Sequence, residues 1–180
     1  MARRAEKTPT VLTVGHSTRD LDTFVRLLQA HGVTRIVDVR TIPKSRHNPQ
    51  FNKETLPTAL QSAGIAYQHV NALGGLRHPL PNSPNSAWRN ASFRGFADYM
   101  QAPAFDEGLR KLITMAEKDR IALMCAEAVP WRCHRSLIAD ALVARGIHVE
   151  HILGDARSQP HTMTPFARLQ KKHVIYPGEV

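Results

Sequence analysis

Short apolar segments alternate along this chain with segments whose apolar residues recur at helical spacing. Each apolar segment has the length of a buried strand, and together they cover residues 11–14, 36–39, 65–70, 121–125 and 148–153. Glycines close the helical segments between them. Strands that alternate with helices form a parallel sheet with helices on both faces. The sequence therefore predicts a single-domain, three-layer α/β fold of Rossmann-like type, with a mainly parallel sheet of about five strands.

The length and composition of the chain fit one domain. Its 180 residues, 42% of them hydrophobic, are enough for a single core. We expect residues 1–9 to be a disordered basic arm, residues 10–154 to form the α/β domain, and residues 155–180 to be an extension packed on it. The first ten residues lack the apolar stretch of a secretory signal, and no apolar run reaches the roughly 20 residues that span a bilayer. We therefore expect a cytoplasmic protein without a membrane partner.

The charge of the chain points to an anionic partner. Twenty-four basic residues against 15 acidic ones give a formal net charge of +9. Such a balance favours nucleic acid, DNA rather than RNA, or another phosphate-bearing anion, although it can also serve solubility alone. The two cysteines are too few for a disulfide framework, so we expect free thiols that are reactive, metal-binding or merely packed.

Polar clusters follow four of the apolar segments at their carboxyl ends. They contain the sequences GHS, DVR, NALGGLR and CAE, at residues 15–17, 38–40, 71–77 and 125–127. In open parallel sheets, ligands bind outside the carboxyl ends of the strands. The four clusters are therefore expected to meet at one edge of the sheet and to form a single site.

Taken together, these motifs resemble those of the family called domain of unknown function 488. The matching residues are VGHS at 14–17, DVR at 38–40, P-x-S-R at 43–46, LGG-x-R at 73–77, CAE at 125–127 and CHR at 133–135. The resemblance covers roughly residues 11–153 and implies the α/β fold. Some members of the family are described as DNA-repair proteins, which implies a nucleic-acid substrate.

The leading hypothesis from the residues is hydrolysis of a glycosidic or phosphodiester bond in DNA. Glu127 and Asp38, each directly after an apolar segment, would be the acid–base pair, and His16 and His134 would transfer protons. In the alternative interpretation both carboxylates are structural: Asp38 forms an ion pair with Arg40, and Glu127 caps the following helix. The predicted substrate-binding residues, which grip phosphate or let the backbone approach the ligand, are Ser17, Arg40, Arg46, Gly74, Gly75, Arg77, Cys133 and Arg135.

A thiol-dependent enzyme acting on a small anionic substrate is the second hypothesis. A helix that begins near Pro130 or Trp131 would point its free amides at the site and lower the pKa of a nearby thiol. Cys125 is the predicted nucleophile, with Cys133 conceivable, and both would otherwise be small buried residues. The architecture is that of thiol phosphatases and sulfurtransferases, but six residues separate Cys125 from Arg132, where the phosphatase loop has five.

Two further possibilities complete the alternatives. A zinc site would have to use Cys125, Cys133, His134 and His16, but their spacing argues against it, so we expect neither a metal nor another cofactor. A non-catalytic nucleic-acid-binding module would use the long loop over residues 71–95, where basic residues are interleaved with aromatic ones.

Overall fold

The computed structural model describes residues 8–179, so the predicted basic arm lies outside the described residues except for its last two positions. The strands are β1 Thr10–Gly15, β2 Arg35–Asp38, β3 Ala66–His69, β4 Ile121–Cys125, β5 His148–Gly154, β6 Arg157–Pro160, β7 Arg168–Gln170 and β8 His173–Ile175. The helices are α1 Leu21–Ala30, α2 Leu56–Ser62, α3 Ala91–Tyr99, α4 Pro103–Lys118 and α5 Arg135–Ala144. Within residues 8–179, no helix is both long and apolar enough to cross a membrane.

The central sheet has the strand order β3-β2-β4-β1-β5-β6. Its first five strands pair in parallel, and β6 pairs antiparallel with β5. The predicted α/β, Rossmann-like fold with a mainly parallel sheet is therefore confirmed. A sixth strand adds to the about five expected, because the chain turns back after Gly154 and forms β6 along the edge of β5.

Helices cover both faces of this sheet, because successive strand residues point to opposite sides. Leu12 and Val14 of β1 face α1 and α2, where Phe24, Leu28 and Leu60 are buried. The alternate strand residues, whose side chains point to the other face, pack against α3, α4 and α5. There they meet the buried side chains Phe96, Leu109 and Leu137. Two hydrophobic cores thus fix the strands from both sides.

The central sheet grows in one direction from β1 to β3 and in the opposite direction from β4 to β5. From β1 the chain passes through α1 to β2 and then to β3, whereas from β4 it passes through α5 to β5 on the other side of β1. Strand β4 lies between β1 and β2, and the carboxyl ends of these three strands are neighbours. Such a reversal leaves a crevice at the carboxyl ends, which is where ligands bind in open α/β sheets.

The helix after β4 begins later than the sequence suggests. It was expected to start near Pro130 or Trp131, but those residues form a separate 3-10 turn, Pro130–Arg132, and α5 starts at Arg135. The reason is Cys133, whose extended backbone, with φ −136° and ψ 148°, interrupts the helical conformation between the two elements. Cys133 therefore immediately precedes the N-cap of α5, His134.

The residues after β6 pack against the helix α5 through a buried carboxylate. Asp140 of α5 is fully buried and accepts hydrogen bonds from the hydroxyl of Tyr176, at 2.7 Å, and from the amide of Thr164, at 3.0 Å. His161 Nε2 lies 2.7 Å from the same carboxylate. A buried carboxylate needs such partners because its desolvation is costly. Three points of the chain after residue 155 are thus tied to one side chain.

The substitution Tyr176→Phe should destabilise the fold, because it leaves one oxygen of Asp140 without its donor. We expect the free energy of unfolding in urea to fall by about 1–3 kcal/mol. Leu169→Ala, at an exposed position of β7, is the control and should change the free energy by no more than about 0.5 kcal/mol. Equal stability of Tyr176→Phe and the wild type would show that the bond to Asp140 does not hold this segment.

Candidate functional site

A cavity of about 350 Å³ opens at the carboxyl ends of β1, β2 and β4. This volume is at the lower end of the range for small-molecule sites. Its lining includes these residues that the sequence predicts for the site: His16, Arg40, Gly75, Cys125, Glu127, Cys133 and His134. The predicted residues that lie outside the lining are Ser17, Asp38, Arg46, Gly74, Arg77 and Arg135.

The two thiols meet at the wall of this cavity. Cys125 ends β4, Cys133 precedes α5, and both line the cavity, where each thiol shifts the pKa of the other. Both cysteines are free and buried. The Sγ atom of Cys133 also accepts a hydrogen bond from the backbone amide of Arg135, at 3.4 Å. An amide of the first helical turn therefore points at one of the two thiols.

The imidazole of His134 is oriented so that it can take a proton from Cys133. Its Nε2 atom lies 2.8 Å from the carbonyl oxygen of Val39 and 3.1 Å from that of Leu73. Carbonyl oxygens only accept hydrogen bonds, so Nε2 carries a hydrogen. In the neutral ring the lone pair is then on Nδ1, which lies 3.6 Å from the Sγ atom of Cys133. The two carbonyls thus fix the tautomer that makes His134 a base toward this thiol.

The environment separates the pKa values of the two thiols. Burial alone raises the pKa of Cys133, but hydrogen bonds with Cys125 and His134 and the electrostatic influence of His134 and Arg135 outweigh it. The pKa of Cys133 therefore lies well below its ordinary value. Burial and the hydrogen bond with Cys133 raise the pKa of Cys125 well above its ordinary value. Of the pair, Cys133 therefore loses its proton at the lower pH, and the thiolate forms there first.

Arg135 lies beneath the cavity rather than in its lining. Its guanidinium is only 1% exposed, and it donates to the carbonyl oxygen of Glu127, at 2.6 Å, and to the hydroxyl of Thr13, at 3.4 Å. It therefore fixes the loop after β4 to β1 and places a positive charge beside Cys133. The sequence predicts substrate binding for Arg135, but these contacts direct its guanidinium to the protein backbone.

Asp38 and Arg40 form a buried ion pair. The carboxylate of Asp38 is fully buried and accepts hydrogen bonds from Nε and Nη2 of Arg40, at 2.9 and 2.7 Å. It accepts a further bond from the hydroxyl of Tyr67. Burial, followed by the interaction with Asp38, raises the pKa of Tyr67 well above its ordinary value, so Tyr67 remains a donor. With its oxygens engaged in this way, Asp38 orients Arg40, the arrangement that the sequence analysis left open as an alternative.

The imidazole of His16 is a neutral part of the cavity wall. Burial lowers its pKa to about 4, and the positive charge of Arg40 contributes. Its Nδ1 donates to the carbonyl oxygen of Ser17, at 2.8 Å, which leaves Nε2 as an acceptor facing Arg40. The ring also stacks on Phe51, with ring centroids 4.3 Å apart. Above about pH 4 His16 therefore has no proton to give as an imidazolium.

The loop after β4 is held close to β1, which explains why the VGHS motif contains a glycine. A Cβ atom at Gly15 would lie 1.9 Å from the carbonyl oxygen of Glu127. Next to it, the amide of Ser17 donates to the carbonyl oxygen of Ala126, at 3.0 Å, and Ser17 has a positive φ of 52°. The exposed carboxylate of Glu127 accepts from the amide of Val129, at 3.3 Å, and also lines the cavity.

The glycine pair of the third motif packs against protein rather than against open space. A Cβ atom at Gly75 would lie 2.7 Å from Nδ1 of His134, and one at Gly74 would lie 2.5 Å from the hydroxyl of Thr41. Arg77 donates to the carbonyl oxygen of Gly74 and places its guanidinium 3.6 Å above the ring of Tyr99. Arg46 is exposed outside the lining.

Several residues of the site did not enter the sequence-based selection of site residues. Lys44 and Arg132 line the cavity and supply positive charge there. Thr13 lies beneath the site and accepts from Arg135. The one signal for Thr13 is that it is a polar residue inside an otherwise apolar strand. Within residues 8–179, no group of three or more His, Cys, Asp or Glu side chains is arranged to hold a metal ion.

Comparison with known proteins identifies a family. The model of the family described as domain of unknown function DUF488 matches residues 20–142, which is more than half of the chain. The matched range contains the second, third and fourth motif clusters, and the VGHS motif precedes it. Neither the curated proteins nor the solved structures include a significant match to the chain.

The two cysteines should differ in the pH at which iodoacetamide alkylates them. In the Cys125→Ser variant, the lowered pKa of Cys133 predicts a rate that reaches half its maximum below the pH of about 8.5 at which a free thiol does. In the Cys133→Ser variant, burial predicts a midpoint for Cys125 above that value. The rates are measured by mass spectrometry of quenched samples. Superimposable profiles for the two variants would contradict the assignment of the thiolate to Cys133.

Proposed function

Because the chain belongs to the DUF488 family, whose description names no activity, we base its function on the site itself and propose that it is a thiol-dependent enzyme acting on a small anionic substrate. One observation carries this proposal. The Sγ atom of Cys133 accepts a hydrogen bond from the backbone amide of Arg135 and lies 3.6 Å from Nδ1 of His134. Both residues, Cys133 and His134, line a cavity that also contains cationic side chains.

The chemistry follows from these contacts. The thiolate of Cys133 attacks the substrate, because the thiolate and not the thiol is the nucleophile. His134 Nδ1 accepts the thiol proton and returns it to the leaving group, as the histidine of a cysteine–histidine pair does. Arg132 and Lys44 attract the negative charge of the substrate from the cavity wall. The volume of about 350 Å³ suits a small molecule.

The same geometry gives less support to the carboxylate pair of the leading sequence hypothesis. A general acid or base must reach the reacting group. Asp38 is fully buried and bound by Arg40 and Tyr67, and it does not line the cavity. Of the two carboxylates, only Glu127 faces the cavity. The hydrolytic reaction would therefore have one carboxylate where the hypothesis requires two.

Assays with phenyl phosphate, thiosulfate and a small-thiol persulfide test the proposal. For whichever of these is turned over, Cys133→Ser should lower kcat/KM by about three orders of magnitude or more, as removal of a nucleophile does. His134→Gln should lower it by about two orders or more. It should also move the acidic limb of the pH–rate profile to higher pH, because Cys133 then lacks the partner that lowers its pKa.

The control for these assays is Arg110→Gln, at an exposed position of α4 outside the cavity, which should keep wild-type activity. Circular dichroism verifies that each variant is folded. Turnover that survives in the Cys133→Ser variant would refute the proposal.

A nucleic-acid-directed hydrolase, with Glu127 as acid or base, is the second candidate, and the net charge of +9 is the observation that favours it. It predicts that the affinity for a labelled oligonucleotide, measured by fluorescence anisotropy, falls linearly with salt on logarithmic axes. It also predicts that Glu127→Gln abolishes cleavage of the oligonucleotide, whereas Cys133→Ser does not. Absence of binding at low salt would exclude this candidate together with a non-catalytic nucleic-acid-binding module.

A further inference from the structure

We propose that Cys125 is the resolving thiol of a two-cysteine reaction, and that the bond broken in this site is the sulfur–sulfur bond of a small anion such as a persulfide or thiosulfate. The inference rests on the proposed function and adds the substrate class to it. It assigns to Cys125 the release of the substrate sulfur from Cys133. A hydrolysis that uses one nucleophilic cysteine has no such step.

The first support is the position of the second thiol. Cys125 and Cys133 line the same cavity and shift the pKa of each other, and the hydrogen bond of Cys125 Sγ to the carbonyl oxygen of Glu127 is a long one, 3.8 Å. Both cysteines line the cavity. A thiol that served packing alone could be placed anywhere along the strand, whereas Cys125 lies at the strand end, in the wall of the same cavity as the nucleophile.

The second support is that three amides of the loop between the cysteines are already engaged and are not free to bind a phosphoryl group. The amides of Val129, Arg132 and Cys133 donate to acceptors within the loop itself. Pro130 has no amide hydrogen to donate. Arg135 directs its guanidinium to Glu127 and Thr13 beneath the cavity. Transfer of a phosphoryl group relies on such donors because charge is spread over its equatorial oxygens.

The third support is the character of the cavity wall. Ile42, Leu76 and Phe93 line it together with the cationic side chains of Arg132 and Lys44. An apolar wall beside a positive edge suits an anion whose reacting atom is a weakly hydrated, polarisable sulfur. A doubly charged phosphate would lose more hydration in such a place than this sulfur atom does.

The reaction balances with the two thiols as the reductant. The Cys133 thiolate attacks the terminal sulfur of R–S–SH, the sulfur–sulfur bond of the donor breaks, and its electron pair leaves with R–S⁻. Cys133 now carries a persulfide. Cys125, after its proton is lost, attacks the Sγ atom of Cys133, and the electron pair of the persulfide bond leaves as HS⁻. The sulfane sulfur is reduced to hydrosulfide, the cysteines are oxidised to a disulfide, and a cellular dithiol must reduce them again.

The test uses intact-mass spectrometry of the full chain after reduction, removal of the reductant and anaerobic addition of a small-thiol persulfide or, separately, thiosulfate. The wild type should lose two hydrogens and release one hydrosulfide per chain. Cys125→Ser should instead stop with one added sulfur on Cys133, and Cys133→Ser should remain unmodified. Cys125→Ala repeats the test without a hydroxyl, and samples without a donor control for oxidation by residual air. Reaction with one donor but not the other identifies the source of the sulfur.

Failure of this inference can be told apart from failure of the proposed function. If phenyl phosphate leaves a phosphoryl group on Cys133 while neither sulfur donor reacts, the inference is overturned and the proposed function stands. A wild type that keeps the added sulfur as stably as Cys125→Ser overturns the resolving role of Cys125. If none of the three reagents modifies Cys133, both proposals are overturned.

Discussion

The site depends on one buried positive charge, the guanidinium of Arg135. It is 1% exposed, and within residues 8–179 it forms no ion pair with a carboxylate. A buried charge without a partner costs several kcal/mol. The positive charge of Arg135 helps to lower the pKa of Cys133, whose Sγ atom accepts a hydrogen bond from the backbone amide of the same arginine. The requirement to compensate the arginine is therefore also a reason for the cysteine to ionise.

This charge is connected by hydrogen bonds to the segment after β5. Arg135 donates to Thr13, whose hydroxyl lies 2.6 Å from Nδ1 of His151. His151 Nε2 lies 2.9 Å from Nδ1 of His161, and His161 Nε2 lies 2.7 Å from Oδ1 of Asp140. Burial, with the charges of His161 and Arg135, lowers the pKa of His151 to about 4, so this histidine is neutral at neutral pH. The series of bonds fixes Arg135 without adding a second charge beside it.

The sequence predicts the fold well because the sheet is a simple consequence of apolar periodicity. Five apolar segments become the five parallel strands, and four polar clusters follow them to a common edge. The strand β6 escapes prediction because its residues are polar and exposed, and an edge strand of this kind has no apolar pattern. The prediction that the helix starts near Pro130 was wrong, because one extended residue, Cys133, separates the 3-10 turn from α5.

The roles within the site are harder to predict, because they depend on which side chains meet. The sequence gives Asp38 and Arg40 as neighbours but does not say that the guanidinium folds back onto the carboxylate. It contains two cysteines at a spacing that fits neither a zinc site nor the phosphatase loop. Only the tertiary structure brings both cysteines to the wall of one cavity and places Nδ1 of His134 beside Cys133.

The central claim is that, in the reduced protein, Cys133 loses its proton at a lower pH than an ordinary thiol and Cys125 at a higher one. An NMR titration of the reduced wild type, with cysteine labelled at Cβ, measures this most directly, because the Cβ chemical shift reports ionisation of each sulfur. The account predicts two resonances, one that titrates well below the ordinary pH range of a thiol and assigns to Cys133, and one that titrates above it. Two resonances that titrate together within the ordinary range would contradict the account.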